Sequence, residues 1–119
     1  MCGGLLEARA IGALAAASGV PISPHSATTP LGVAANLHAA ATAASLSAME
    51  YSAASVGQLA PYFVGGDQLL LEAIEDGCLP LPTSAGLGVE PRVDQIRGTF
   101  PYRPPWPIDN LPSLYTGSV

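Results

Sequence analysis

An α/β chain with parallel strands is the fold class the sequence predicts, and three observations predict it. Helix-like and strand-like segments alternate through the first half of the chain. The strand-like segments are short and apolar, with proline only at their margins, where a missing N–H costs no ladder bond. Before the first helix, "CGG" (Cys2–Gly4) reads as the end of an earlier strand and its turn, which completes the order β, α, β, α, β. Strands joined through helices in this way run parallel and are covered by those helices.

The elements follow in order. "LLEARAIGALAAAS" (Leu5–Ser18) places Leu6, Ala10 and Leu14 at helical spacing with Ile11 beside them, and Gly19 stands where a helix C-terminus commonly ends. "VPIS" (Val20–Ser23) is a short strand that must stop by Pro24. Thr29 as N-cap and Pro30 at the first helical position open a second helix, Leu31–Ala44. "LSAMEY" (Leu46–Tyr51) is the next strand, with Leu46, Ala48 and Glu50 on one face and Ser47, Met49 and Tyr51 on the other. Beyond Tyr51 the repeat is lost. Ser52–Gly66 reads as a loop with a short helix, and "DQLLLEAIEDGCLPLP" as a hairpin turning at Glu75, Asp76 and Gly77. "VEPRVDQIR" gives a short helix with Pro91 at its start. The last stretch carries five prolines from Pro101 to Pro112 and is expected to be irregular. The chain thus divides into residues 1–97, one α/β unit with its hairpin segment, and a Pro-rich tail, 98–119.

Composition removes several function classes. Of the 119 residues 49% are hydrophobic and 11% charged, which leaves few solubilising groups and marks the chain as part of a larger packed body. Its four basic residues, all arginines, lie far apart, so no nucleic-acid partner is expected. Glycine, proline and polar residues interrupt every apolar run short of a membrane span, and no basic segment precedes an apolar one at Met1. A cytoplasmic protein with no membrane partner is the expectation. Cys2 and Cys78 lie outside any CxxC or metal-like spacing and read as reduced thiols.

In α/β sheets ligands gather at the carboxyl ends of the strands, and there the chain carries His25 and Glu50, one after each strand. Neighbouring parallel strands lie about 4.8 Å apart, so side chains at their ends can reach one small molecule. A carboxylate beside apolar residues is costly unless it is hydrogen-bonded or used. Ser26, on the same rim, is a further substrate-binding candidate. Thr29 is already committed as an N-cap. His38, within a helix, is expected to be structural, and Glu72, Glu75 and Asp76 to be solvated acids rather than a metal cluster.

Several pieces in fixed order carry a resemblance: "CGGLLEARAIGALAAASGVPISPH", "PLGVAANLHAAA", "MEY" and "EDGCLPLPTSAGLGVE". Together they resemble the carboxyl-terminal part of the mandelate racemase and muconate lactonizing enzyme family, within the enolase superfamily, over Cys2 to about Ile96. The resemblance implies a C-terminal fragment of a (β/α)8 TIM-type barrel: about three strands, from the end of the sixth through the eighth, and two to three helices. It implies a Mg2+-dependent enzyme, often a homo-oligomer when intact, that abstracts the proton next to a carboxylate. An acid-sugar dehydratase acting on a hydroxy acid is the first reading, a racemase or cycloisomerase the second, and a truncated non-catalytic interaction module the third. By resemblance His25 is the general acid/base after the seventh strand and Glu50 the enolate-stabilising group after the eighth. The family's metal-binding acids and lysine motif have no counterpart here, so the chain is expected to contain no metal ligand and to be inactive alone.

Overall fold

A computed structural model of the chain describes residues 2–26 and 28–101. The order of elements is α1 (Leu5–Ala17), α2 (Pro30–Ala40), α3 (Ala53–Leu59), β1 (Phe63–Val64), β2 (Glu90–Pro91) and α4 (Val93–Thr99), with short 3-10 turns at Ala60–Tyr62, Gly66–Leu69 and Leu71–Ala73. Among the described residues it is an α/β mixture whose one sheet is small and antiparallel, Phe63 facing Pro91 and Val64 facing Glu90.

The two predicted parallel strands contract to a single parallel bridge, Ile22 with Leu46. Ile22 donates its N–H to the Ser45 carbonyl at 3.0 Å and accepts from the Ser47 N–H at 2.9 Å. Pro21 and Pro24 on either side lack an N–H, so this segment can present little more than one rung. The direction is nonetheless the predicted one, and Glu50 N–H to Pro24 carbonyl, 3.1 Å, extends the contact to the strand ends.

Helix α1 stops at Ala17, and Gly19 takes a left-handed φ of 65° as a glycine C-terminus does. Its expected apolar stripe is not buried: Leu6 is 75% and Leu14 70% exposed, with Ile11 also exposed. The helix packs through small residues instead, Gly12 and Ala15. A side chain at Gly12 would meet the Ala43 methyl at 3.3 Å, so close approach selects glycine there.

Helix α2 begins as predicted, with Thr29 accepting from the Gly32 N–H and Pro30 opening the first turn. It ends at Ala40 rather than Ala44. Thr42 donates its hydroxyl to the Ala39 carbonyl at 2.8 Å, and the Thr42 and Ala43 N–H groups bond three residues back, tightening the chain out of the helix.

The core lies on α2, not between α1 and the bridged strands. Val33 and Ala34 of α2, Val56 of α3, Leu69 and Val89 form it, with Leu37, Met49, Tyr51 and Leu70 against them. Two side chains pin the later segments there. Tyr51 donates its hydroxyl to the Leu69 carbonyl at 2.8 Å, and His38 Nε2–H donates to the Leu87 carbonyl at 3.2 Å, so His38 is structural. Burial pushes the Tyr51 phenol above its usual pKa, and the nearby Glu72 carboxylate adds to the shift.

The predicted hairpin survives only as its turn. Glu75 and Cys78 exchange backbone hydrogen bonds across Asp76 and Gly77, both at positive φ, which suits a two-residue turn. The entering strand is instead two 3-10 turns, so Glu72 lies on a turn. Pro80 and Pro82 have no N–H for a returning ladder. Pro91, expected at a helix start, lies in β2, and α4 begins at Val93. The Pro-rich stretch from 102 onward, including its aromatic residues, lies outside the described residues.

Candidate active site

Chain punctuation places the site. Pro24 closes the first extended segment, and the next residue, His25, leaves the ladder with its ring largely exposed. Across the bridge, Met49 and Tyr51 turn into the core, so by strand alternation Glu50 turns the other way. The offset of the two segments brings Glu50 opposite His25.

The two side chains meet: His25 Nδ1 pairs with Glu50 Oε2. The same oxygen accepts a hydrogen bond from the Ser26 backbone N–H at 3.2 Å. Among the described residues no hydrogen bond reaches Oε1. The His25 ring is 79% exposed and the Glu50 side chain 46%. A pair this open contributes at most about 0.2–1 kcal/mol to stability, so its consequence is orientation rather than folding energy. With Nδ1–H given to Glu50, a neutral imidazole presents its Nε2 lone pair outward, which is the form of a general base. Protonation at Nε2 then places a positive charge beside a carboxylate that is already in contact.

Ser26 is fully buried and its Oγ has no partner among the described residues. What it gives the site here is its backbone N–H. One residue outside the sequence-derived set belongs to it: Asn36 of α2 donates Nδ2–H to the His25 carbonyl at 2.9 Å. Its only signal is a lone amide in a helix otherwise rich in alanine, eleven residues beyond His25.

An open apolar groove of about 870 Å³ runs beside the pair, between α1, α2 and the Ile22–His25 segment, with Gly3 and Gly4 also lining it. His25 is among its lining residues, and Glu50 is not. Among the described residues no three His, Cys, Asp or Glu side chains converge as a metal-ligand set, and no helix is long and apolar enough to cross a membrane. Both cysteines are exposed and free.

Residues 1–96 match the family model described as Enolase C-terminal domain-like. The chain belongs to that family. A solved structure of the enolase type is similar as well: the mandelate racemase/muconate lactonizing enzyme-like protein from Rubrobacter xylanophilus DSM 9941, 28% identical with a TM-score of 0.64. That likeness covers 78% of this chain and 23% of the other, so the enolase-type chain described here spans under a quarter of that neighbour's length. No curated protein matches the sequence.

Proposed function

We propose that this chain is the C-terminal piece of a (β/α)8-barrel enzyme of the enolase superfamily that abstracts the proton next to a carboxylate, and that the reaction is dehydration of an acid sugar. The observation that carries the reading is the contact between His25 Nδ1 and Glu50 Oε2 at the ends of two parallel-bridged segments. Family membership and the likeness to a mandelate racemase/muconate lactonizing enzyme-like protein support the superfamily. Magnesium is the metal the family implies. The described residues do not fit it, since no ligand set converges, so its ligands are assigned to the part of the barrel outside this chain and no step is routed through it here.

The chain's own chemistry is proton movement at His25 Nε2. Nε2 takes the proton from the carbon next to the carboxylate, and the electron pair of that C–H bond passes toward the carboxylate as an enediolate. The imidazolium is held by Glu50 at Nδ1. In dehydration the enediolate electrons return to expel the neighbouring hydroxyl, which leaves as water with the proton that His25 donates. The resulting enol becomes a 2-keto-3-deoxy acid. Glu50 serves the developing enediolate through the imidazolium whose Nδ1–H it holds. Ser26 acts through its amide on Glu50 rather than through its buried hydroxyl.

The test uses this chain joined to the remainder of its barrel, with magnesium and a panel of aldonic acids in D2O. The expected result is a 2-keto-3-deoxy acid from at least one member. Exchange of the proton beside the carboxylate without loss of water would replace dehydration by racemisation. Absence of both product and exchange across the panel would end the reading.

A further inference from the structure

We propose that Asn36 is a positioning residue for His25, acting on its backbone rather than on its ring; the proposal rests on His25 being the proton-transfer group. The carbonyl of His25 and the N–H of Ser26 belong to one peptide unit, and in a trans peptide they point in opposite directions. Asn36 Nδ2–H takes the carbonyl at 2.9 Å, and Glu50 Oε2 takes the N–H at 3.2 Å. The unit is therefore clamped from both sides, and turning it breaks both bonds. The carboxylate oxygen at one jaw of the clamp is the one that holds the imidazole.

This matters because little else among the described residues can fix the ring. At 79% exposure the imidazole has almost no packing to choose its rotamer, so its orientation comes from Glu50 and from the backbone that carries it. Asn36 supplies the rigid end of that chain of contacts. It stands on α2 between the buried pair Val33 and Ala34 and the core-packed Leu37, on the element that carries the core. A site group held by a side chain from a packed helix keeps its geometry better than one held by loop contacts alone. Pro24 on the other side offers only its carbonyl, which takes the Glu50 N–H at 3.1 Å, so among the described residues the amide of Asn36 is what ties this corner to α2.

The test is amide hydrogen exchange at Ser26 in the 119-residue protein. Asn36→Asp keeps the size of the side chain and removes the donor, and Asn36→Leu removes it without adding charge. Both should speed Ser26 exchange by roughly 5-fold, the weight of one neutral hydrogen bond. The amides of Val33 and Val56 should hold their wild-type rates. In the complete enzyme the same variants should lower kcat with KM nearly unchanged. Unchanged exchange at Ser26 would overturn the proposal, and so would equal acceleration at Val33 and Val56, which would make Asn36 merely structural. Failure of His25 as the acid/base group is seen separately, as retained turnover in His25→Asn, and does not bear on Ser26 exchange in the Asn36 variants.

Discussion

Replacing His25 with asparagine should lower turnover by roughly 10²- to 10⁴-fold, the usual contribution of a positioned general acid/base. Asparagine is close in size to the near half of the imidazole and can still donate toward Glu50, but it has no basic nitrogen at the Nε2 position. KM should change little, because the ring is largely exposed and is asked to move a proton rather than to bind. The measurement is kcat and KM of this chain joined to the rest of its barrel, on the acid sugar that the panel identifies. Stability should be nearly unaffected, because an ion pair this exposed contributes little to it. A variant with wild-type kcat would remove His25 from the chemistry.

The largest effect on stability is expected at Leu69. Its side chain is fully buried at the meeting point of α2, α3 and the 3-10 turn, and its carbonyl receives the Tyr51 hydroxyl. Leu69→Ala should cost about 2–5 kcal/mol, by lost apolar burial and by the cavity left behind. For a small domain of marginal stability that is a large share of the total. Leu14→Ala is the control, since Leu14 is 70% exposed and its truncation should stay within about 0.5 kcal/mol. Denaturant unfolding of both variants of the 119-residue chain separates them. Equal losses would mean that the outer face of α1 is covered in solution.

The same two leucines show where the sequence was legible. Leu14 belongs to a clear helical stripe, and the helix is there, but periodicity reports a helix and not what covers its face. The stripe implied burial against a neighbour that the described residues do not provide. Leu69 lies in an apolar run, Leu69–Leu71, that fits a strand and a buried turn equally well. The tertiary contact from Tyr51 to its carbonyl uses an acceptor that a ladder would need, and such a contact is invisible in sequence.

Local chemistry was more legible. Thr29 and Pro30 opened α2 where expected, Gly19 closed the stretch after α1, and Asp76–Gly77 made its turn. Those signals involve neighbours in the chain. The cap at Ser52, whose side chain accepts from the Ser55 N–H at 3.4 Å, was equally local but sits in a stretch without apolar period to draw attention to it. The pairing of Phe63–Val64 with Glu90–Pro91 had no such signal: two residues on each side carry no alternation to count.

For the site, the strand-end logic brought His25 and Glu50 together, because proline fixed where the first segment ends and alternation fixed the side on which Glu50 lies. The logic could not say that they would touch directly, nor that Ser26 would contribute an N–H while its hydroxyl is buried. It also passed over Asn36, whose role depends on how α2 lies across the loop.

The central claim is that the imidazole and the carboxyl group work as one unit, and a double-mutant cycle on turnover tests it most directly. His25→Asn, Glu50→Gln and the double variant are compared in the complete enzyme. The account predicts strong non-additivity, with the double variant losing about as much as His25→Asn alone, because Glu50 acts through the ring it holds. Losses that multiply would contradict it, showing two groups that serve the reaction independently.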